Sequence, residues 1–453
     1  MDLTLNEVIE ASNGEILFKN CEGIFNKVST DTRKIEKGSL FIALKGENFN
    51  GNDYVVEAIK KGASIVIVDE VKFDSKDLNN NGVVIKVGDT KVALGAIAKY
   101  YREKLGIKVV GITGSTGKTS TKDLVAAFLS GKYSVFKTKG NFNNEIGLPL
   151  MILELDSSYE VAVLEMGTNN FNEIHRLANI AMPDIATITN IGVSHIENLK
   201  TRENILKEKL SITDFFKENN PLVINNENDM LQKIKEDNRF KLEKIGYNEE
   251  CEVYAKNIDL TEKTTSFDVV TKSGESYRFT LNMVGKHNVL NALLGIQISR
   301  ELGVTFEEMN DGLKNLQATS MRLEFIKKGD FTIINDCYNA SPDSMKAALD
   351  VLKTYSGKRK IAVLGDMGEL GDHSKSSHKI VGEYALEKAD IILSTGKFKE
   401  DYKEGFGKDT LIFNSKNELI ESLTRRIKKD DVILIKASRS AKFEEIVKYI
   451  ENL

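Results

Sequence analysis

The residues best suited to chemistry lie in one stretch, Gly111-Ile-Thr-Gly-Ser-Thr-Gly-Lys-Thr-Ser120. An apolar run, Ile107 to Ile112, enters it, and a helix-like pattern from Asp123 to Ser130 leaves it. Strand, glycine loop, lysine, hydroxyl and helix, in that order, is the layout of a phosphate cradle. Gly114, Ser115, Thr116, Gly117, Lys118, Thr119 and Ser120 would then surround phosphate oxygens with backbone N–H groups. Lys118 would neutralise the phosphates and Thr119 would ligate Mg²⁺. The glycines stand at 111, 114 and 117, and Ile112 occupies the position where the strict Walker spacing has glycine, so the loop is a variant. Binding of ATP or GTP is the first expectation.

Other polar residues end apolar strands, on the edge where parallel α/β sheets hold ligands. Val161 to Leu164 runs into Glu165, a natural Mg²⁺ ligand beside a phosphate loop. Asp184 to Asn190 leads to His195, which is either a structural histidine or a second metal ligand. The spacing predicts a helix over 202–217, with Lys209 in the same arc as Ile205, Ile212 and Phe216. An unpaired ammonium there is costly to bury. On the residues alone a lysine snorkelling from the stripe edge is preferred over one that CO₂ has converted to a carbamate.

Asn143 and Asn144 sit in an amide-rich loop and suit either anion binding or helix capping. Asn288 and Asn291, three apart at a helix start, suit an adenine edge or an N-cap. Near the C-terminal end, Arg322, Asp336-Cys-Tyr338-Asn339, Gly365–Gly371 and Lys436-Ala-Ser438-Arg439 cluster around strand ends, as one functional edge would require. Thr30-Asp-Thr32-Arg33 reads best as a solvated turn.

These residues need α/β scaffolds to hold them. A chain of 453 residues is too long for one core. Strand runs and helical periodicity divide it into a small α/β domain over 1–88, a central parallel-sheet phosphate-loop domain over 89–316, and a Rossmann-like α/β domain over 317–453. Strands are expected near 39–44, 63–68, 82–87, 107–112, 133–138, 160–165, 184–189, 222–225, 331–335, 360–364, 391–394 and 432–436, with a β-like insert over 266–281. Net charge is −4 with 29% charged residues, which gives no reason to expect nucleic acid or a membrane surface as partner. Three isolated cysteines form neither a disulfide framework nor a zinc site, as suits a reducing cytoplasm. The first residues carry no signal-peptide pattern, and no apolar run is long enough to span a bilayer.

Together these motifs resemble the Mur ligases, ATP-dependent amide-forming enzymes of peptidoglycan precursor synthesis. The resemblance covers all three domains: Asp31-Thr-Arg33 with Gly38 to Gly46, Thr113 to Thr119, Asn143-Asn144 with Gly147-Leu-Pro149, Glu165-Met-Gly167, His195, Lys209, His287-Asn288 with Asn291, Arg322, and Asp336 to Pro342. Val363 to Gly371 resembles the branch that adds D-alanyl-D-alanine to UDP-N-acetylmuramoyl-tripeptide, and the Asp-Asn-Pro-Arg motif of diaminopimelate-adding relatives is absent. Around Lys209 the family's usual Ala-Lys-Gly-Glu reads Glu208-Lys-Leu-Ser211.

The resemblance implies an acyl-phosphate mechanism using ATP and two Mg²⁺, one on Thr119 and Glu165, the other on His195 and a carbamylated Lys209. It implies adenine binding by Asn288 and Asn291, and phosphate and ribose contacts from Arg322 and Asp336. It also implies substrate contacts from Thr32, Arg33, Lys45, Gly46, Asn143, Asn144, Tyr338 and Asn339. A cytoplasmic monomer serving cell-wall biogenesis, and through it cell shape and division, is the corresponding expectation. Another ligase of this kind, folylpolyglutamate synthetase, and a nucleotide-dependent switch are the rival readings.

Overall fold

The computed structural model describes residues 1–453 apart from 2, 79–81, 237, 318 and 453. Ala318, near which the sequence suggests the last domain begins, therefore lies outside the described residues. Among those described, three sheets organise the chain, each with helices packed on its faces. The first has five strands in the order 15–19, 83–86, 63–68, 39–42, 27–29, all parallel except the first pair. The last has six, in the order 324–328, 331–335, 431–436, 359–364, 391–395, 410–413, again with one antiparallel edge pair.

Between them lies a nine-stranded sheet in the order 276–281, 265–271, 253–260, 241–246, 221–225, 185–188, 108–113, 161–165, 135–137. Its last seven strands are parallel, and an antiparallel meander closes the other edge. Strand Lys108–Thr113 sits inside the parallel part, flanked by Val161–Glu165 and Ile185–Ile188, with Glu165 in register with Ile112. All three strands are buried from end to end apart from Lys108, because helices cover both sheet faces. The polar residues that follow them therefore emerge together along one edge.

Helix Thr90–Leu105 ties the first sheet to the second. Asp89 caps it through the N–H groups of Lys91 and Val92, and Gly106 ends it in the left-handed conformation. Its Tyr101 hydroxyl donates to the Leu155 carbonyl at 2.7 Å, and Arg102 binds the Ala181 carbonyl and Asp184.

The expected strands are found at the expected places, with ends shifted by a residue or two. The helix expected over 202–217 is shorter, running Arg202–Leu210 and then tightening into a 3₁₀ turn, Ser211–Thr213. Ser211 and Thr213 hydroxyls donate back to the Lys207 and Leu210 carbonyls, which competes with continued α-helix. Lys209 thus falls in the last helical turn.

Glu208, beside it, reaches helix Glu173–Ala181, whose N-terminus has no cap of its own. The buried carboxylate accepts from the N–H groups of Asn172 at 2.7 Å and Ile174 at 2.8 Å. It is a capping group supplied from another helix. Glu208→Ala is expected to remove about 2 kcal/mol of central-domain stability, a fall of roughly 4–8 °C in its unfolding midpoint by calorimetry. An unchanged midpoint would show that the cap is not needed.

Candidate functional site

The Gly111–Ser120 stretch folds as strand, loop and helix, with the helix Lys118–Leu129 starting at the lysine itself. Two glycines are dictated by backbone geometry. Gly114 has φ +151° and lies so close to Thr189 that a Cβ would come 1.8 Å from its Oγ1. Gly117 has φ +78° and faces the Asn291 Oδ1. The unusual glycine spacing thus follows the contacts of this loop. Residues after the neighbouring strand hold it in shape: the Ser115 N–H donates to the Asn190 carbonyl at 3.0 Å, and the Thr116 N–H donates to Asn190 Oδ1 at 2.8 Å. The Gly192 N–H donates to Ser115 Oγ at 2.9 Å. Lys118 bends back so that Nζ donates to the Gly114 carbonyl at 2.8 Å, and burial lowers its pKa.

Thr119, in the first turn of that helix, is a meeting point. Its hydroxyl donates to Glu165 Oε2 at 2.9 Å and accepts from Arg322 Nη2 at 3.0 Å. Glu165 also takes Asn143 Nδ2 at 2.8 Å on its other oxygen, and its N–H donates to Thr138 Oγ1. Arg322 lies over the Tyr338 ring, 4.2 Å from the centroid. A guanidinium from the last domain therefore touches the hydroxyl that follows the loop lysine.

His195 and Lys209 are the other two expected ligands. His195 has φ +63°, rare for a residue with a Cβ. Its Nδ1 lies 2.7 Å from Glu369 Oε2, out of line for a well-formed hydrogen bond. Burial pushes the imidazole pKa below its ordinary value, and contact with His195 holds the Glu369 carboxyl below the usual range. Lys209 is fully buried, so the snorkelling lysine is overturned: its Nζ finds no hydrogen-bond partner. Burial first, and then the Lys118 ammonium, pull its pKa well below the ordinary lysine value.

The donors bear on the metal that the sequence suggests. Among the described residues no three His, Cys, Asp or Glu side chains form a cage. Mg²⁺ does not require one, since it keeps waters and is held by one or two carboxylates plus substrate phosphates. The Thr119 hydroxyl and Glu165 carboxylate are hard oxygen donors of that kind. The Lys209 amine is not a donor of that kind.

A cavity of about 1210 Å³ joins the central and last domains at this edge, lined by the phosphate loop, His195, Asn288, Asn291, Arg322 and Asp336 among others. Neither asparagine serves as an N-cap. Asn291 Nδ2 donates to Asn288 Oδ1 at 3.1 Å, and Asn288 Nδ2 donates to the Val284 carbonyl at 2.9 Å. Asp336 is paired with Lys436 Nζ at 2.6 Å and accepts from the Leu323 N–H, while Lys436 also binds the Asn339 carbonyl. Asn144 caps the following helix through the N–H groups of Ile146 and Gly147.

Thr32, Arg33, Lys45 and Gly46 do not line this cavity. Arg33 folds onto Asp31 at a 3₁₀ turn, and Lys45 bridges Asp69 and Glu70 next to the Lys45–Gly46/Phe49–Asn50 hairpin. Asn190, Thr138 and Glu369 also shape the site, without a role expected from the sequence. Asn190 and Glu369 stand in the polar stretches singled out after strands, and Thr138 ends the strand expected over 133–138, which was the available signal.

Family models match three segments in this order: the Mur ligase family catalytic domain over residues 25–102, the Mur ligase middle domain over 112–299, and the Mur ligase glutamate ligase domain over 321–439. The UDP-N-acetylmuramoyl-tripeptide–D-alanyl-D-alanine ligase of Bacillus subtilis (strain 168) is 39% identical, over 98% of this chain and 97% of its own. The crystal structure of MurF from Acinetobacter baumannii superposes with a TM-score of 0.92 at 31% identity, covering 99% of both chains. MurF ligase from Thermotoga maritima, crystallised in complex with ADP, gives 0.82 at 30% identity, covering 95% of this chain and 98% of its own. On these likenesses and the shared three-domain fold, the chain belongs to the Mur ligase family and is an ATP-dependent, amide-bond-forming ligase of peptidoglycan precursor synthesis.

Proposed function

We propose that the chain joins D-alanyl-D-alanine to UDP-N-acetylmuramoyl-tripeptide through an acyl phosphate, releasing ADP and phosphate. The observation that carries this is the Thr119 hydroxyl, bound at once to Glu165 and to Arg322 of the last domain. Such a junction lets two domains close on one nucleotide.

In this reading Lys118 and the loop N–H groups hold the β,γ-phosphates, and Arg322 covers the transferred phosphoryl group. The tripeptide carboxylate attacks the γ-phosphorus, ADP leaves, and the dipeptide amine then displaces phosphate from the acyl carbon. Thr119 and Glu165 would hold one Mg²⁺, and His195 with a carbamylated Lys209 a second; the ions supply charge neutralisation on the phosphates. Asn288 and Asn291 form one wall for the base, with Asp336 toward the ribose. Residues 1–88, through Thr32, Arg33, Lys45 and Gly46, bind the UDP end. Residues 89–316 bind ATP, with Asn143 and Asn144 toward the substrate. Residues 317–453 supply Tyr338 and Asn339. The chain works as a monomer in the cytoplasm; no described helix is long and apolar enough to cross a membrane.

Phosphate release measured against UDP-muramoyl dipeptide, UDP-muramoyl tripeptide and a folate, each with D-alanyl-D-alanine or a single amino acid, tests the assignment. Turnover is expected with the tripeptide and D-alanyl-D-alanine. A preference for any other pair would overturn it.

A further inference from the structure

Seven carboxylates line the cavity between the central and last domains, and six are engaged by the protein itself. Asp229 is paired with Arg202 and Asp336 with Lys436, and Glu369 lies against His195 Nδ1 at 2.7 Å. Glu262 accepts from the Ser356 N–H, Glu227 from the Tyr247 N–H, and Glu324 from Asn335 and the Met321 N–H. The seventh, Asp343, forms no hydrogen bond and no ion pair with any described residue. Lys346 and Arg202 are near enough to act on it electrostatically, yet neither bonds to it.

Its position is defined. Asp343 stands in the first turn of helix Pro342–Thr354, and its Oδ2 lies against Gly192, where a Cβ would come within 2.2 Å of it. Gly192 in turn gives its N–H to Ser115 of the phosphate loop. An acceptor-only group thus points into the cleft beside the loop, on the lid side. Its side chain is open to the cleft, and desolvation there, with the Asp229 carboxylate behind it, raises its carboxyl pKa. A carboxylate facing bound phosphates across the cleft favours a cation in the space between them.

We infer that Asp343 is the receptor for the ammonium group of the incoming amine substrate. This rests on the ligase reading above. The chemistry required is an α-ammonium at the end of a short peptide, held by a charge-assisted hydrogen bond before it loses its proton and attacks. Among the seven, Asp343 is the carboxylate with both oxygens free of any partner among the described residues.

The test compares two nucleophiles on the whole enzyme with ATP, Mg²⁺ and UDP-muramoyl-tripeptide. One is D-alanyl-D-alanine, an ammonium in solution. The other is hydroxylamine, uncharged at the assay pH, which traps an acyl phosphate as the hydroxamate. In Asp343→Asn the KM for the dipeptide should rise, and the ratio of dipeptide product to hydroxamate at low dipeptide should fall, at least about tenfold. Asp343→Glu, which keeps the charge, should recover part of that ratio. An unchanged ratio overturns the assignment, as does an equal loss of both products, which would put Asp343 in a step common to both. If the unsubstituted protein forms neither product, the ligase reading itself has failed.

Discussion

Lys118→Ala is expected to abolish ligation, with turnover at least about a thousandfold below the unsubstituted protein, while the fold survives. The lysine begins the helix that receives the phosphates, and its ammonium already leans onto the Gly114 carbonyl inside the loop. No ion pair with a described residue holds it. Its removal takes away one hydrogen bond, to the Gly114 carbonyl, and relieves the burial that lowers its pKa. What is lost is positive charge where the β- and γ-phosphates gather negative charge in phosphoryl transfer. Phosphate release and the thermal midpoint, measured on the same preparation, check both halves of the expectation. Near-normal turnover would remove the loop from the mechanism.

Lys209→Ala carries the second large effect. A fully buried amine without a hydrogen-bond partner, its pKa pulled well below the ordinary lysine value by burial and by Lys118, is the group on which the proposed carbamate would form. Carbamate formation joins the amine nitrogen to the CO₂ carbon and releases one proton, leaving an anionic oxygen pair. That product suits a hard cation, which the free amine does not. Activity in Lys209→Ala should fall at least about a hundredfold, and short carboxylates such as acetate or propionate should restore part of it by occupying the vacated space. Full activity without additives would refute the carbamate.

Much of the scaffold was legible because parallel strands covered on both faces read as unbroken apolar runs, such as Val161 to Leu164. Elements that escaped do not announce themselves in their own residues. Strand Lys241–Gly246 carries three charges, and buried Glu243 is satisfied by Lys241 and by Gln297 from a distant helix. Strand Thr410–Phe413 is a half-buried edge without clean alternation. The early end of helix Arg202–Leu210 depends on hydroxyls folding back onto carbonyls, which helical periodicity does not register.

At the site, residue types at strand ends pointed to Thr119, Glu165 and Arg322, which do meet. Which of two roles a residue takes is decided by packing. Lys209 could snorkel or be buried, and only its neighbours in space exclude the first. Asn144 turned out to cap a helix, whereas Asn143, its neighbour in sequence, reaches Glu165. The match of Glu208 to the N–H groups of another helix could not be foreseen from one segment.

The most direct test of the central claim is to label the terminal carboxylate of UDP-N-acetylmuramoyl-tripeptide with ¹⁸O. The labelled substrate is then given to the purified protein with ATP, Mg²⁺ and D-alanyl-D-alanine, and both products are weighed by mass spectrometry. An acyl-phosphate ligase transfers one labelled oxygen to each phosphate released and forms the UDP-N-acetylmuramoyl-pentapeptide in equal amount. Unlabelled phosphate, or ATP turnover without that pentapeptide, would contradict the account.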